Sequence, residues 1–289
     1  KLTDKAKEEL LCELNINEVG KSVKGLIKAE TLAEKNLIYN TSECDQITEL
    51  SSILSESRFS EVQSRLRTAG MRSGFCCIFY GAPGTGKTET VYQLARQTGR
   101  DIMRVDVDKI KSCWVGESEK NIKALFDRYR NICKNSKLAP ILLFNEADAV
   151  LGVRMEGAAR AIDKMENSIQ NIILQEMETL EGIMIATTNL TTNLDKAFER
   201  RFLYKIRFDK PSVESRAKIW QTMLPDLSEH DAQTLASQFD LSGGEIENIA
   251  RKHSVNAILK GNDSIDVQEI INSCRHERLS QNNCPKIGF

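Results

Sequence analysis

The chain has 289 residues, with 40 basic and 41 acidic side chains and a formal charge of −1. That length fits a domain of about 200 residues plus a smaller one. The balanced charge lacks the basic excess of a nucleic-acid binder, so nucleic acid is not an expected partner. No apolar run approaches the roughly 18 to 20 residues of a membrane span, and the N-terminus KLTDKAKEELL has no signal-peptide core. The eight cysteines form no C-x-x-C pair and have no histidine cluster nearby, which argues against zinc and redox motifs. The expectation is a soluble, cytoplasmic protein with reduced thiols. A chain that starts at Lys1 rather than methionine reads as a fragment or a processed product.

In chain order, residues 1–70 read as an N-terminal helical segment and linker, with LAEKNLIYN (32–40) and ITELSSILSESRFSEVQSRL (47–66) as its clearest helical pieces. Residues 71–210 follow as an α/β domain. Five short apolar segments recur there between amphipathic stretches: FCCIFY (75–80), DIMRVDV (101–107), ILLFN (141–145), GIMIATT (182–188) and LYKIRF (203–208). Strands spaced by helices argue for a parallel sheet with crossovers on both faces. Cys76 and Cys77 are neighbours in the first of these strands, where alternation sends them to opposite faces and core packing accounts for them. In 117–134 the apolar residues Ile122, Leu125, Phe126, Tyr129, Ile132 and Cys133 recur at helical spacing. In 162–180 so do Ile162, Met165, Ile169, Ile172, Ile173 and Met177, and both stripes read as core faces. Beyond Pro211 the pattern is helical only, so 211–289 reads as a small helical domain. Ser242 and Glu245 there make a capping box for a helix with Ile246, Ile249, Ala250, His253 and Ala257 on one face.

The chemistry is concentrated in the α/β part. Residues 81–88, GAPGTGKT, match G-x-x-x-x-G-K-[ST] between the strand FCCIFY and the helical TETVYQLARQ. Glycines let consecutive backbone N–H groups wrap phosphates while a helix N-terminus faces them. Ala82, Pro83, Gly84, Thr85, Gly86, Lys87, Thr88 and Glu89 are therefore the candidate nucleotide-binding residues. Lys87 is expected to reach the β and γ phosphates, and Thr88 to offer a hydroxyl to Mg2+.

The strand ILLFN ends in Asn145 and Glu146, where ligands of open α/β sheets bind. Glu146 is the candidate for polarising the attacking water. Asn145 takes the place where a magnesium-side aspartate is expected. An amide oxygen still accepts a hydrogen bond from a metal-bound water, so the expectation is weaker Mg2+ affinity with hydrolysis retained. Asn189, at the end of ATTNL, is placed to bond the γ-phosphate or the water. In LDKAFERRF, Arg200 and Arg201 are candidates to complete a neighbouring subunit's site, where an arginine finger contributes about 10³ to 10⁵ in rate.

GAPGTGKT, LLFNEAD, ATTN and FERRF in that order, followed by a helical segment with SGGEIENIA, resemble an AAA+ ATPase of the core AAA branch. The resemblance covers roughly 75–255. It implies a P-loop NTPase sheet of five parallel strands in the order 5-1-4-3-2, a C-terminal helical lid, ATP with Mg2+ as ligands, and a homo-oligomeric ring, usually a hexamer. It further implies that Gly243 and Gly244 stand where other branches carry a lid arginine. Adenine contacts are expected from the region 37–44 and from the lid near Ile246. CWVGESEK (113–120) resembles the first pore loop of protein-remodelling rings, with Trp114, Val115 and Gly116 projecting into a channel to grip polypeptide. LGVRMEGAARAIDKME (151–166) fits a second, more polar channel loop.

The function these residues support is ATP-driven remodelling or unfolding of a protein substrate. The rival is an ATP-dependent switch or scaffold in which Asn145 slows hydrolysis. A DNA-associated loader finds no support in the charge balance.

Overall fold

A computed structural model of the chain describes residues 26–106, 118–153, 161–260 and 265–277. Two compact units emerge. One comprises the described residues of 1–35, 48–80 and 88–206, and the other those of 36–47, 81–87 and 207–289.

The sheet has six strands: β1 (Leu26–Ile27), β2 (Phe75–Gly81), β3 (Ile102–Asp106), β4 (Ile141–Asn145), β5 (Ile183–Thr188) and β6 (Tyr204–Phe208). Their order is β1-β3-β4-β5-β2-β6. Counting from the strand that carries the phosphate loop, β2 to β6 reproduce the expected 5-1-4-3-2. The difference is β1, a two-residue antiparallel addition at the edge that places Leu26 opposite Met103. β3 with β4, β4 with β5, and β5 with β2 are parallel. Every residue of β4 and of β5 is buried, as continuous apolar runs require when helices cover both faces of a parallel sheet.

In the first unit, α4 (Ser118–Asn135) and α6 (Ala161–Thr179) follow the two predicted apolar stripes. Ile122, Phe126 and Tyr129 of α4, together with Ile169, Ile173 and Met177 of α6, join one buried cluster with Leu142, Phe144 and Met184 of the sheet. The Phe126 and Phe144 rings stack at 5.9 Å. Among the described residues, the α-helices α1 (Thr41–Ile53) and α2 (Glu56–Thr68) precede β2. Buried Arg100 secures the turn between them, donating from Nε to the Leu54 carbonyl at 2.9 Å while its guanidinium lies 4.6 Å from the centre of the Phe59 ring.

The stretch 32–40 contains no α-helix, contrary to expectation. Two of its backbone groups bond to one side chain. Gln93, on α3 (Lys87–Thr98), accepts from Lys35 N at 3.3 Å and donates to the Ala33 carbonyl at 3.0 Å.

The second unit is helical after β6, with α8 (Val213–Met223), α9 (Glu229–Gln238), α10 (Gly243–Lys260) and α11 (Val267–His276). Fully buried Trp220 sits in their core, against which Ile38 also packs. The capping box forms as read: Ser242 N donates to Glu245 Oε2 at 2.7 Å, and Glu245 N to Ser242 Oγ at 3.3 Å. Two further α-helices among the described residues are single turns, α5 (Asp148–Leu151) and α7 (Lys196–Glu199).

Candidate nucleotide site

The loop 81–87 lies in the second unit. Gly84 and Gly86 have φ of +73° and +89°, backbone that L side chains rarely adopt. Gly84 is constrained from outside as well, because a Cβ there would sit 2.7 Å from Ser242 Oγ. Gly244 N donates to the Gly84 carbonyl at 2.8 Å, so the expected lid glycines meet the loop by backbone contact. Lys87 is buried, and its Nζ donates to the Gly81 and Ala82 carbonyls at 3.0 and 2.6 Å. Thr85 Oγ1 donates to the Ala82 carbonyl at 2.8 Å, while Pro83 is exposed.

In the first unit, the α3 residue that follows Lys87 reaches the end of β4. Thr88 Oγ1 donates to Asn145 Oδ1 at 2.8 Å, and Thr187 Oγ1 donates to the same oxygen at 3.3 Å. Glu146, next in the chain, is exposed, with φ of +52°. Its N–H donates to Thr187 Oγ1 at 3.1 Å. Asn189 is held from the β4 side: its N–H donates to Asp148 Oδ1 at 2.8 Å and its Nδ2 to Asp148 Oδ2 at 3.5 Å. The Thr188 hydroxyl also donates to Asp148. Glu89 is bonded to neighbours, by an ion pair to Lys35 Nζ at 3.1 Å and by an acceptance from Gln93 Nε2 at 3.0 Å.

The two arginines differ. Arg201 is tied into its own chain, donating to the Ala197 carbonyl at 2.9 Å and pairing with Glu178. Arg200 is exposed, and its side chain takes no hydrogen bond or ion pair among the described residues. Trp114, Val115 and Gly116 lie outside the described residues, as do residues 154–160 of the second expected channel loop.

Sequence reading missed Thr187 and Asp148. Short polar residues at strand ends and turns signal nothing individually. Only the β4–β5 pairing reveals that each one secures a candidate site residue.

Along the chain the motif supplies a left-handed glycine loop and an ammonium group, then a helix N-terminus and a hydroxyl, which are the donor types that polyphosphate requires. Thr88 Oγ1 and Asn145 Oδ1 are hard oxygen donors of the kind Mg2+ takes, directly or through water. Fold and site together define a P-loop nucleotide-binding α/β protein with a C-terminal helical domain.

Comparison with known proteins agrees. Residues 77–210 match the family model described as "ATPase family associated with various cellular activities (AAA)". Residues 212–279 match the "Contractile injection system ATPase helical domain". Similar proteins include Protein CdcH of Halobacterium salinarum, 30% identical over 66% of this chain and 26% of that protein. Cell division protein C of Sulfolobus acidocaldarius is 30% identical over 49% and 38% respectively. Fidgetin-like protein 1 of Caenorhabditis elegans is 28% identical over 65% and 32%. The alignments thus span between 26% and 38% of the length of these relatives. The chain belongs to the AAA+ superfamily of ATPases.

Proposed function

We propose that the protein binds and hydrolyses ATP with Mg2+ and uses the energy, as a cytoplasmic homo-oligomeric ring, to remodel or unfold a protein substrate. The observation that carries this reading is the Thr88–Asn145 hydrogen bond at 2.8 Å. It joins the last residue of the phosphate-loop motif to the strand end whose next residue is Glu146.

Each residue then has a role. The backbone N–H groups of Ala82, Gly84, Thr85 and Gly86, together with Lys87, hold the phosphates; Pro83 has no N–H to give. Thr88 and Asn145 hold Mg2+, which when bound neutralises charge on the β and γ phosphates. Glu146 accepts a proton from the attacking water, and Asn189 orients that water. Arg200 reaches a neighbouring subunit's site, an assignment supported by its exposure and by the engagement of Arg201 with Glu178. Trp114, Val115 and Gly116 grip the substrate chain. The match of the helical domain supports a component of a contractile injection apparatus as that substrate. The domain division at about 70 and 210 belongs to the same proposal.

A second reading, a slow-turnover switch or scaffold, is favoured by the neutral amide at position 145. The two separate on one experiment: ATP turnover and substrate unfolding by the wild type and Trp114→Ala. The remodeller loses unfolding and substrate stimulation in Trp114→Ala while keeping basal turnover. A wild type that never unfolds protein and turns over independently of substrate contradicts remodelling and leaves the switch.

A further inference from the structure

Glu146 is the single non-glycine residue among those described with positive φ. A left-handed non-glycine backbone costs about 1–2 kcal/mol and persists only where neighbours impose it. The exposed Glu146 carboxylate takes no hydrogen bond or ion pair among the described residues, so its direction is set by the backbone beneath it.

That backbone is held by Thr187. Glu146 N donates to Thr187 Oγ1 at 3.1 Å, and Ala147 N donates to the Thr187 carbonyl at 2.8 Å. Successive N–H groups of the turn thus end on one residue of β5. The Thr187 hydroxyl has only one proton, and it points to Asn145 Oδ1 at 3.3 Å. Its lone pairs are thereby directed away from Asn145 and remain available to Glu146 N–H. Thr187 is buried, and β-branching restricts its χ1, so the hydroxyl cannot readily turn elsewhere. The same Asn145 oxygen accepts from Thr88 at 2.8 Å. One chain of hydrogen bonds therefore runs from the phosphate-loop threonine through Asn145 and Thr187 to the Glu146 backbone.

We propose that Thr187 is a positioning residue for ATP hydrolysis, which holds the Glu146 turn in its left-handed form and so aims the carboxylate. This rests on the reading of Glu146 as the water-activating group. Thr187→Val conserves shape and removes only the hydroxyl, whereas Thr187→Ser keeps the hydroxyl and removes a methyl.

The experiment measures kcat and KM for ATP, binding of a fluorescent ATP analogue and the melting temperature. It uses the full chain as wild type, Thr187→Val, Thr187→Ser, Glu146→Gln and the double variant Thr187→Val/Glu146→Gln. The expected result is a kcat of Thr187→Val lowered about 10- to 100-fold, in line with the cost of a small misplacement. KM and analogue binding stay unchanged, and kcat returns in Thr187→Ser. The double variant falls no lower than Glu146→Gln alone.

A Thr187→Val enzyme with wild-type kcat overturns the positioning role. So does a parallel loss of analogue binding and melting temperature in both threonine variants, which marks Thr187 as purely structural. If Glu146→Gln itself turns over ATP at the wild-type rate, the underlying assignment of Glu146 fails, whatever Thr187→Val does.

Discussion

The Thr88 hydroxyl donates to the Asn145 amide oxygen at 2.8 Å, in the position where a nucleotide hydrolase is expected to set a carboxylate. An amide keeps the geometry of that contact and gives up its charge. Asn145→Asp restores the charge and preserves an acceptor for both Thr88 and Thr187. Replacing a neutral acceptor by a charged one is worth about 1 kcal/mol or slightly more, so the Mg2+ concentration for half-maximal turnover should fall about tenfold. Turnover at saturating Mg2+ should be equal or higher. Mg2+ titration at fixed ATP checks this, and an unchanged midpoint removes Asn145 from the metal's surroundings.

Arg200 and Arg201 are adjacent in sequence but have different environments, and their alanine variants should part accordingly. Arg201→Ala breaks the pairing with Glu178 and the bond to the Ala197 carbonyl. It should cost roughly 1–3 kcal/mol of stability. Arg200→Ala should leave the melting temperature nearly unchanged, as exposed substitutions usually stay within about 0.5 kcal/mol. Its turnover should fall by about 10³ or more if it completes the neighbour's site. Thermal melts and turnover measured on the same preparations distinguish the two.

Gly244 opposes two effects that can be separated. In a helix, alanine is favoured over glycine by about 1 kcal/mol, so Gly244→Ala should not lower stability through α10 itself. A Cβ at this position would lie 3.2 Å from Gly84 Cα, against phosphate-loop backbone that has little freedom to retreat. The expected outcome is an unchanged or raised melting temperature with ATP affinity weakened several-fold. Wild-type affinity in a fluorescent-analogue titration would show that this contact does not shape the loop.

The cysteines test the packing. Burial pushes the Cys76 and Cys274 thiols up to about 12, and raises Cys77 as well, so all three remain neutral at physiological pH. Cys44 is exposed. Because the thiolate is the nucleophile, brief alkylation of the native protein should modify Cys44 and spare Cys76, Cys77 and Cys274. Peptide mass spectrometry reads the pattern, and fast modification of Cys77 would contradict its place in β2.

What was legible in the sequence was what local pattern encodes. GAPGTGKT carries its own backbone requirement in its glycines. The stripes of α4 and α6 repeat long enough to declare a face, and the capping box of α10 is a contact between residues three apart. What was not legible depends on partners distant in sequence. Glu178 lies 23 residues from Arg201, and nothing near either residue announces the pair. Thr187 and Asp148 gain their roles only once β4 lies beside β5. The stretch 32–40 has apolar residues near helical spacing, yet its Ala33 carbonyl and Lys35 N–H bond to Gln93, 58 residues beyond Lys35. β1 consists of two residues, too few for any alternation to show.

The most direct test of the account is steady-state ATP turnover per subunit against protein concentration, for the wild type and for Glu146→Gln. A site that needs Glu146 in its own chain and an arginine from a neighbour predicts wild-type turnover that rises with concentration as subunits assemble. It also predicts a Glu146→Gln protein that binds ATP with turnover lowered by about 10² or more. Concentration-independent turnover by a demonstrated monomer, or a Glu146→Gln protein as active as the wild type, would contradict it.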